Sequence, residues 1–81
     1  MMWHVYILKT IDKDWYYIGC TNNLERRLEQ HNRGYNKSTR LHTPFEVVHS
    51  ESYQDRSEAY AREKLLKRYK GGNALKRILN K

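Results

Sequence analysis

The chain has 81 residues, enough for one domain with a small core over residues 1–81. Its 16 lysine and arginine residues against 9 aspartate and glutamate residues give a formal net charge of +7, which favours a polyanionic partner, nucleic acid first and an anionic membrane surface second. No apolar run is long enough to cross a membrane, and no signal peptide is recognisable after Met1. The single cysteine, Cys20, excludes an internal disulfide and a cysteine-cluster metal site, and it fits a reducing cytoplasm.

Two short runs near the amino terminus predict a β-hairpin. Residues 3–8 and 15–20 are both rich in β-branched and aromatic side chains, which are typical of strands. Residues 11–14 between them read as a tight connection, so we expect the two strands to pair in antiparallel fashion.

The register of this hairpin decides which side chains share a face. If Thr10 pairs with Trp15, Tyr6 lies opposite Gly19, and Tyr17 becomes a diagonal neighbour of Tyr6 on the same face. Gly19 then leaves space beside the Tyr6 ring. The other face is predicted to be a plain core surface made of Val5, Ile7, Ile18 and Cys20.

A helix is predicted over about residues 23–32, and its apolar stripe contains polar side chains. The cap signal is Asn22 or Asn23. Read at i, i+3, i+4 and i+7, the stripe consists of Leu24, Arg27, Leu28 and His31. Charge is costly to bury unless it is paired. Arg27 and His31 therefore indicate either a bound phosphate or side chains that reach water from the edge of the stripe.

The remainder of the chain predicts a basic loop, a third strand and two helices. Residues 33–44 form the loop, residues 45–53 the strand, and residues 57–69 and 73–79 the helices. One face of the strand is predicted to carry Phe45, Val47 and His49. The fold class is therefore α/β (α+β), with a small three-stranded antiparallel sheet flanked by helices.

Basic residues in the loop and in the carboxyl-terminal third predict a nucleic-acid face. A solvated loop and a solvated lysine and arginine helix face are the alternatives. The candidates for contact with phosphates are Lys37, Arg40, Arg62, Lys67, Arg68 and Lys70, with His42 as a further candidate in the loop.

The order of Tyr6, residues 17–19, Arg27 and His31 resembles the GIY-YIG nuclease superfamily, and the closest likeness is to small stand-alone bacterial members. The second motif of that family is intact as Tyr-Ile-Gly at residues 17–19, whereas the first is His-Val-Tyr at residues 4–6 and keeps only the tyrosine. Further likeness at residues 20–28 and 55–64 extends the resemblance over nearly the whole chain.

The resemblance implies metal-dependent hydrolysis of a DNA phosphodiester with one Mg²⁺ or Mn²⁺ ion. It implies that Tyr6 activates the attacking water, Tyr17 orients water or phosphate, Arg27 grips a phosphate, and His31 relays a proton or holds Tyr6. Cationic neighbours are expected to favour the Tyr6 phenolate. Glu63 matches the glutamate that holds the metal, although a glutamate beside a buried stripe also commonly pairs with a lysine or arginine.

Two other functions remain open at this point. The first is a nucleic-acid-binding module that keeps the fold but cleaves poorly or not at all, and the second is a small basic structural partner of a ribosome or nucleoid. Binding alone needs lysines and arginines but not two tyrosines and a site carboxylate, so the sequence favours the enzyme. A domain this small has little surface for sequence readout, which leaves open a need for a protein partner, a second copy, or a special DNA structure.

Overall fold

The computed structural model describes residues 2–11, 15–34, 42–69 and 77–79. It contains a three-stranded antiparallel sheet with helices on both faces, which confirms the predicted fold class. In chain order the elements are β1 (Trp3–Thr10), β2 (Tyr16–Thr21), α1 (Leu24–Asn32), β3 (Phe45–Tyr53) and α2 (Arg56–Tyr69), followed by helical residues 77–79. The rest of the short helix predicted over 73–79 lies outside the described residues. No helix in the described ranges is long and apolar enough to cross a membrane.

The hairpin has the predicted register. Tyr6 lies opposite Gly19 and Leu8 lies opposite Tyr17 in the β1–β2 pair. The backbone N–H of Thr10 donates to the carbonyl of Trp15 at 3.1 Å, which closes the hairpin where the sequence pattern placed it. Because residues opposite one another share a face, Tyr6 and Tyr17 lie on the same side of the sheet.

Central strand β1 lies between β2 and β3 and contributes to two separate cores. On one face the buried residues are Val5, Ile7, Ile18, Ala59 and Leu66, so this core joins the sheet to α2. On the other face the core contains Tyr6, Leu8 and Phe45, with Leu24 and Leu28 of α1 packed against them. The molecule therefore has three layers, and both candidate tyrosines belong to the α1 side.

An irregularity in β3 corrects one sequence-based expectation. Leu8 pairs with Val47 but Ile7 pairs with His49, so one extra residue, Val48, is accommodated between them. A bulge of this kind reverses the alternation of side chains along the rest of the strand. The prediction that His49 shares a face with Phe45 and Val47 is therefore wrong, because His49 lies opposite Ile7 on the α2 side.

Local hydrogen bonds fix both ends of α1. Asn23 caps the amino terminus, since its Oδ1 accepts from the backbone N–H of Arg26 at 3.1 Å, as the cap signal predicted. At the other end the Asn32 side chain pairs with the backbone of Phe45. The N–H of Phe45 donates to Asn32 Oδ1 at 2.7 Å, and Asn32 Nδ2 donates to the Phe45 carbonyl at 3.4 Å. Asn32 thus ties the end of α1 to the start of β3.

We expect Asn32→Ala to lower the free energy of unfolding by about 1–2 kcal/mol, because two hydrogen bonds to the Phe45 backbone are lost. Asn32→Asp should cost less, since it keeps the oxygen that accepts the shorter bond. The measurement is urea denaturation. Glu29→Ala on the same helix is the control, because its ion pair with Arg33 is solvent-exposed. A loss no larger for Asn32→Ala than for Glu29→Ala would contradict this role.

Candidate active site

Tyr6 is buried in the sheet because the residue opposite it has no side chain. Only 1% of its surface is exposed. A Cβ atom placed on Gly19 would lie 2.5 Å from Cζ of Tyr6, so the ring occupies the space that a larger residue would fill. The Tyr6 side chain therefore extends across β2, which is an edge strand of the sheet.

Helix α1 places its two polar stripe residues against the tyrosines. The hydroxyl oxygen of Tyr6 lies 3.3 Å from Nε2 of His31 in a buried hydrogen bond. The His31 ring is 4.8 Å from the Tyr17 ring between centroids, and the two tyrosine rings are 6.4 Å apart. Arg27 interacts with Tyr6 and Tyr17, and these interactions raise the pKa of its guanidinium. Four of the predicted site residues are therefore brought together.

The two polar stripe residues differ in their exposure. His31 is fully buried, whereas Arg27 is half-buried. Arg27 also lines a polar cleft that opens to the surface at the amino-terminal end of α1. The cleft is lined by Thr21, Asn22, Asn23, Arg26, Arg27 and Gln30. Arg27 can therefore touch the tyrosines and a ligand at the surface, whereas His31 can act only through its buried neighbours.

Burial sets the protonation states of the site at neutral pH. It raises the pKa of Tyr6 to about 12, and the hydrogen bond and positive charge of Arg27 oppose this shift only in part. Burial, together with the positive charge of Arg27, lowers the pKa of His31 to about 4. Tyr6 thus carries its proton and His31 is neutral. Arg27 favours the Tyr6 phenolate, as expected of a cationic neighbour, but burial outweighs this effect and Tyr6 keeps its proton.

Glu63 acts electrostatically on Tyr6 from the opposite layer of the fold. It lies on α2, and its charge is close enough to raise the pKa of both Tyr6 and Cys20. Its carboxylate already holds a cation, because Nζ of Lys67 lies 2.9 Å from Oε2. The described residues contain no cluster of three or more histidine, cysteine or acidic side chains that could hold a metal. A single carboxylate suits Mg²⁺, which binds through one or two carboxylates and keeps waters and substrate phosphate oxygens as its other ligands.

The residues predicted to contact nucleic acid differ in whether another side chain already pairs with them. Arg62 grips Glu51 with two hydrogen bonds of 2.8 and 3.0 Å, and Lys67 pairs with Glu63. Arg68 is exposed in the last turn of α2. His42 stacks on Trp15 with ring centroids 3.8 Å apart. The remaining candidates, Lys37, Arg40 and Lys70, lie outside the described residues.

The Glu51 network was not recognised in the sequence. The Glu51 carboxylate accepts hydrogen bonds from Tyr53 at 2.6 Å and from Arg62, and it lies 2.7 Å from Nε2 of His49. Burial opposes ionisation of Glu51, but these three partners outweigh it and lower its pKa to about 2. The network joins β3 to α2 one residue before Glu63. The spacing of Glu51 and Tyr53, two residues apart on one strand, was the only sequence signal for this network. His49 could not be assigned to the same face from the sequence, because the bulge changes the alternation of side chains.

Comparisons of the sequence and of the structure with known proteins point to the same family. A family model described as the GIY-YIG catalytic domain matches residues 2–76. The chain is 40% identical over 79 residues to the UPF0213 protein CPE1444 of Clostridium perfringens, covering 96% of this chain and 84% of that protein. It is 42% identical over 67 residues to the UPF0213 protein VNG_2274C of Halobacterium salinarum, covering 82% and 86% of the two chains. The solution NMR structure of the UPF0213 protein BH0048 from Bacillus halodurans superposes with a TM-score of 0.62 at 28% identity, covering 99% and 84%.

The neutral state of His31 predicts a specific pH dependence of stability. Folding lowers the pKa of His31 from 6.5 to about 4, so the unfolded chain binds this proton more readily. The stabilisation is complete above pH 6.5 and is lost as the pH falls toward 4. Between pH 7 and pH 5 the wild-type protein should lose about 2 kcal/mol more than His31→Gln. Urea denaturation of both proteins at the two pH values tests this, and equal losses would show that His31 is not held neutral by the fold.

Gly19→Ala should destabilise the protein although alanine is usually better than glycine within a strand. The added methyl group meets the Tyr6 ring, which cannot move freely because it is buried. We expect a loss of about 1–3 kcal/mol, as for other overpacked cores. In a Tyr6→Leu background the same change should cost less. Thermal or urea denaturation of the four proteins gives both costs, and equal costs would exclude the ring as the cause.

Proposed function

This chain belongs to the GIY-YIG domain family, and on that basis we propose that it is a metal-dependent endonuclease that hydrolyses phosphodiester bonds in DNA. The family assignment supports a nuclease-like role, and the basic net charge of +7 supports a nucleic-acid substrate. Cys20, the chain's one cysteine, is a free thiol. This supports a location in the reducing cytoplasm as part of the proposal.

The buried contact between Tyr6 and His31 is the observation that carries this proposal. A protein that only binds nucleic acid needs exposed lysines and arginines to neutralise phosphates. It has no need of a tyrosine hydroxyl held 3.3 Å from a neutral imidazole, with an arginine beside it. Such an arrangement is suited to proton transfer, because a neutral imidazole and a hydroxyl group can each both give and accept a proton.

In the proposed reaction a water molecule attacks the phosphorus atom next to Tyr6. The water proton passes to the Tyr6 oxygen while the hydroxyl proton of Tyr6 passes to Nε2 of His31. The leaving sugar oxygen departs with the electron pair of the broken P–O bond. Because the pKa of Tyr6 is raised to about 12, transfer through the protonated tyrosine is favoured over a phenolate formed beforehand.

The other site residues position the substrate and balance its charge. Arg27 is placed to hold a phosphate oxygen from the surface cleft while it keeps its contact with the tyrosine hydroxyls. Tyr17 orients water or phosphate through its hydroxyl. Glu63 would hold the divalent cation, which would supply positive charge at the phosphate and at the leaving oxygen.

Exposed basic residues supply the proposed contacts with the DNA backbone. Lys67 and Arg68 lie in the last turn of α2 and are exposed. Lys37, Arg40 and Lys70 are proposed for the same role on their charge alone. Arg62 is left out of this set, because Glu51 occupies its guanidinium.

Tyr6→Phe is the decisive variant for this mechanism. It removes the hydroxyl that passes the proton and keeps the ring beside Gly19, so single-turnover cleavage should fall by about 10²–10⁴-fold. Tyr17→Phe should cost less, because water can partly replace an orienting hydroxyl. Tyr16→Phe is the matched control, since Tyr16 packs into the core on the α2 side. The labelled substrates are single-stranded DNA, duplex DNA, branched DNA and RNA. Each substrate is tested in Mg²⁺, in Mn²⁺ and in a chelator.

The outcomes of this assay separate three conclusions. Cleavage that needs a divalent cation and is lost in Tyr6→Phe but kept in Tyr16→Phe supports the proposal. Cleavage that is equally fast in Tyr6→Phe leaves the protein a nuclease but refutes the role of Tyr6. Binding of DNA without cleavage of any substrate would identify a binding module of the same fold.

A further inference from the structure

The ion pair between Lys67 and Glu63 lies where a catalytic cation is proposed to bind. The two residues are one turn apart on α2, with Nζ 2.9 Å from Oε2. Both residues also interact electrostatically with the tyrosines. Tyr17 contributes to the raised pKa of Lys67, and Glu63 contributes to the raised pKa of Tyr6. The pair is therefore within electrostatic range of both tyrosines.

The two partners of this pair differ greatly in their exposure. The Glu63 side chain is only 12% exposed, whereas that of Lys67 is 54% exposed. The carboxylate is thus held against the protein, while the lysine reaches it from the solvent side on a flexible chain. The ammonium of Lys67 can be hydrated when it leaves the pair, whereas the partly buried carboxylate is then left in need of another cation. The Glu63 carboxylate has no such freedom, because most of its side chain is covered by the protein.

We infer that Lys67 is a displaceable counter-ion of Glu63, which hinders a divalent cation from binding until a DNA phosphate draws the ammonium away. This inference rests on the proposed function, because the phosphate and the cation are those of the endonuclease reaction. It makes metal binding and DNA binding cooperative through one side chain. Cooperativity of this kind is reciprocal, so each ligand strengthens the binding of the other.

Simple electrostatics supports this coupling. A lysine ammonium on the carboxylate cancels its charge and repels a divalent cation that approaches the same oxygens. A phosphate held by Tyr17 and Arg27 would offer Lys67 a second anionic partner, since Lys67 is electrostatically coupled to Tyr17. Once the ammonium has moved to that phosphate, Glu63 and the phosphate are both available as oxygen ligands for one cation.

The first test measures Mn²⁺ binding to the DNA-free protein by electron paramagnetic resonance of the unbound ion. Lys67→Met should bind Mn²⁺ about tenfold more tightly than wild type, because the counter-ion is removed while the length of the side chain is kept. Lys67→Gln should show the same direction. Lys64→Met is the matched control, since it removes the same charge from α2 at a lysine that lies over the Tyr60 ring. The double variant Glu63→Gln/Lys67→Met should lose the gain.

The second test asks whether DNA is what draws Lys67 away. The affinity for an oligonucleotide is measured by fluorescence anisotropy in a chelator across a range of salt concentrations. If Lys67 moves to a phosphate, the slope of log affinity against log salt should become shallower by about 0.7–0.9 in Lys67→Met, which corresponds to one phosphate contact. Melting temperatures of all the variants show whether each is folded.

Each result decides the inference independently of the endonuclease activity. Tighter Mn²⁺ binding in Lys67→Met but not in Lys64→Met, together with the shallower slope, supports it. Unchanged Mn²⁺ affinity in both Lys67 variants overturns the counter-ion role, and an unchanged slope overturns the displacement by DNA, even in a protein that cleaves DNA. Failure of the proposed function is recognised separately, as the absence of cleavage in a wild-type protein whose Mn²⁺ and salt results are as expected.

Discussion

The close approach of the Tyr6 ring to the backbone of Gly19 is the constraint on which the candidate site depends. The ring fits only because the residue opposite it in the sheet has no side chain. This contact fixes the position of the Tyr6 hydroxyl at the edge strand. His31 of α1 and Glu63 of α2 then approach the same hydroxyl from opposite layers, through a hydrogen bond and through electrostatic coupling respectively. A shift of the hairpin register by one residue would turn Tyr6 to the other face.

Burial and charge act in opposite directions on this hydroxyl, and burial is the larger effect. The guanidinium of Arg27 favours the ionised form of Tyr6, but removal from water raises the pKa of Tyr6 to about 12. The same burial keeps His31 neutral. The site thus combines a proton donor and a proton acceptor in contact. Neither group carries a charge that would be costly within the core on the α1 side.

Helix α2 carries both a structural ion network and the ion pair of the proposed chemistry. On the α2 side, Glu51 binds Arg62 and joins β3 to the helix that carries Glu63. This network is well satisfied, and it holds α2 at a fixed position relative to the sheet. Lys67, one turn beyond Glu63, is by contrast exposed, while the carboxylate that it contacts is largely buried. This difference in exposure is what the proposed displacement of Lys67 requires.

The sequence by itself determined the elements, the hairpin register and the residues that α1 turns inward. Alternation at period 2 and recurrence at period 3.6 are local signals, and they predicted β3 with its observed bounds and α2 to within one residue. Only the tertiary structure decided the face of His49, the partner of Arg62 and the direction of the Tyr6 pKa shift. The face of His49 depends on a bulge, the partner of Arg62 on a contact between distant elements, and the pKa of Tyr6 on burial. None of these three produces a periodic pattern in the sequence.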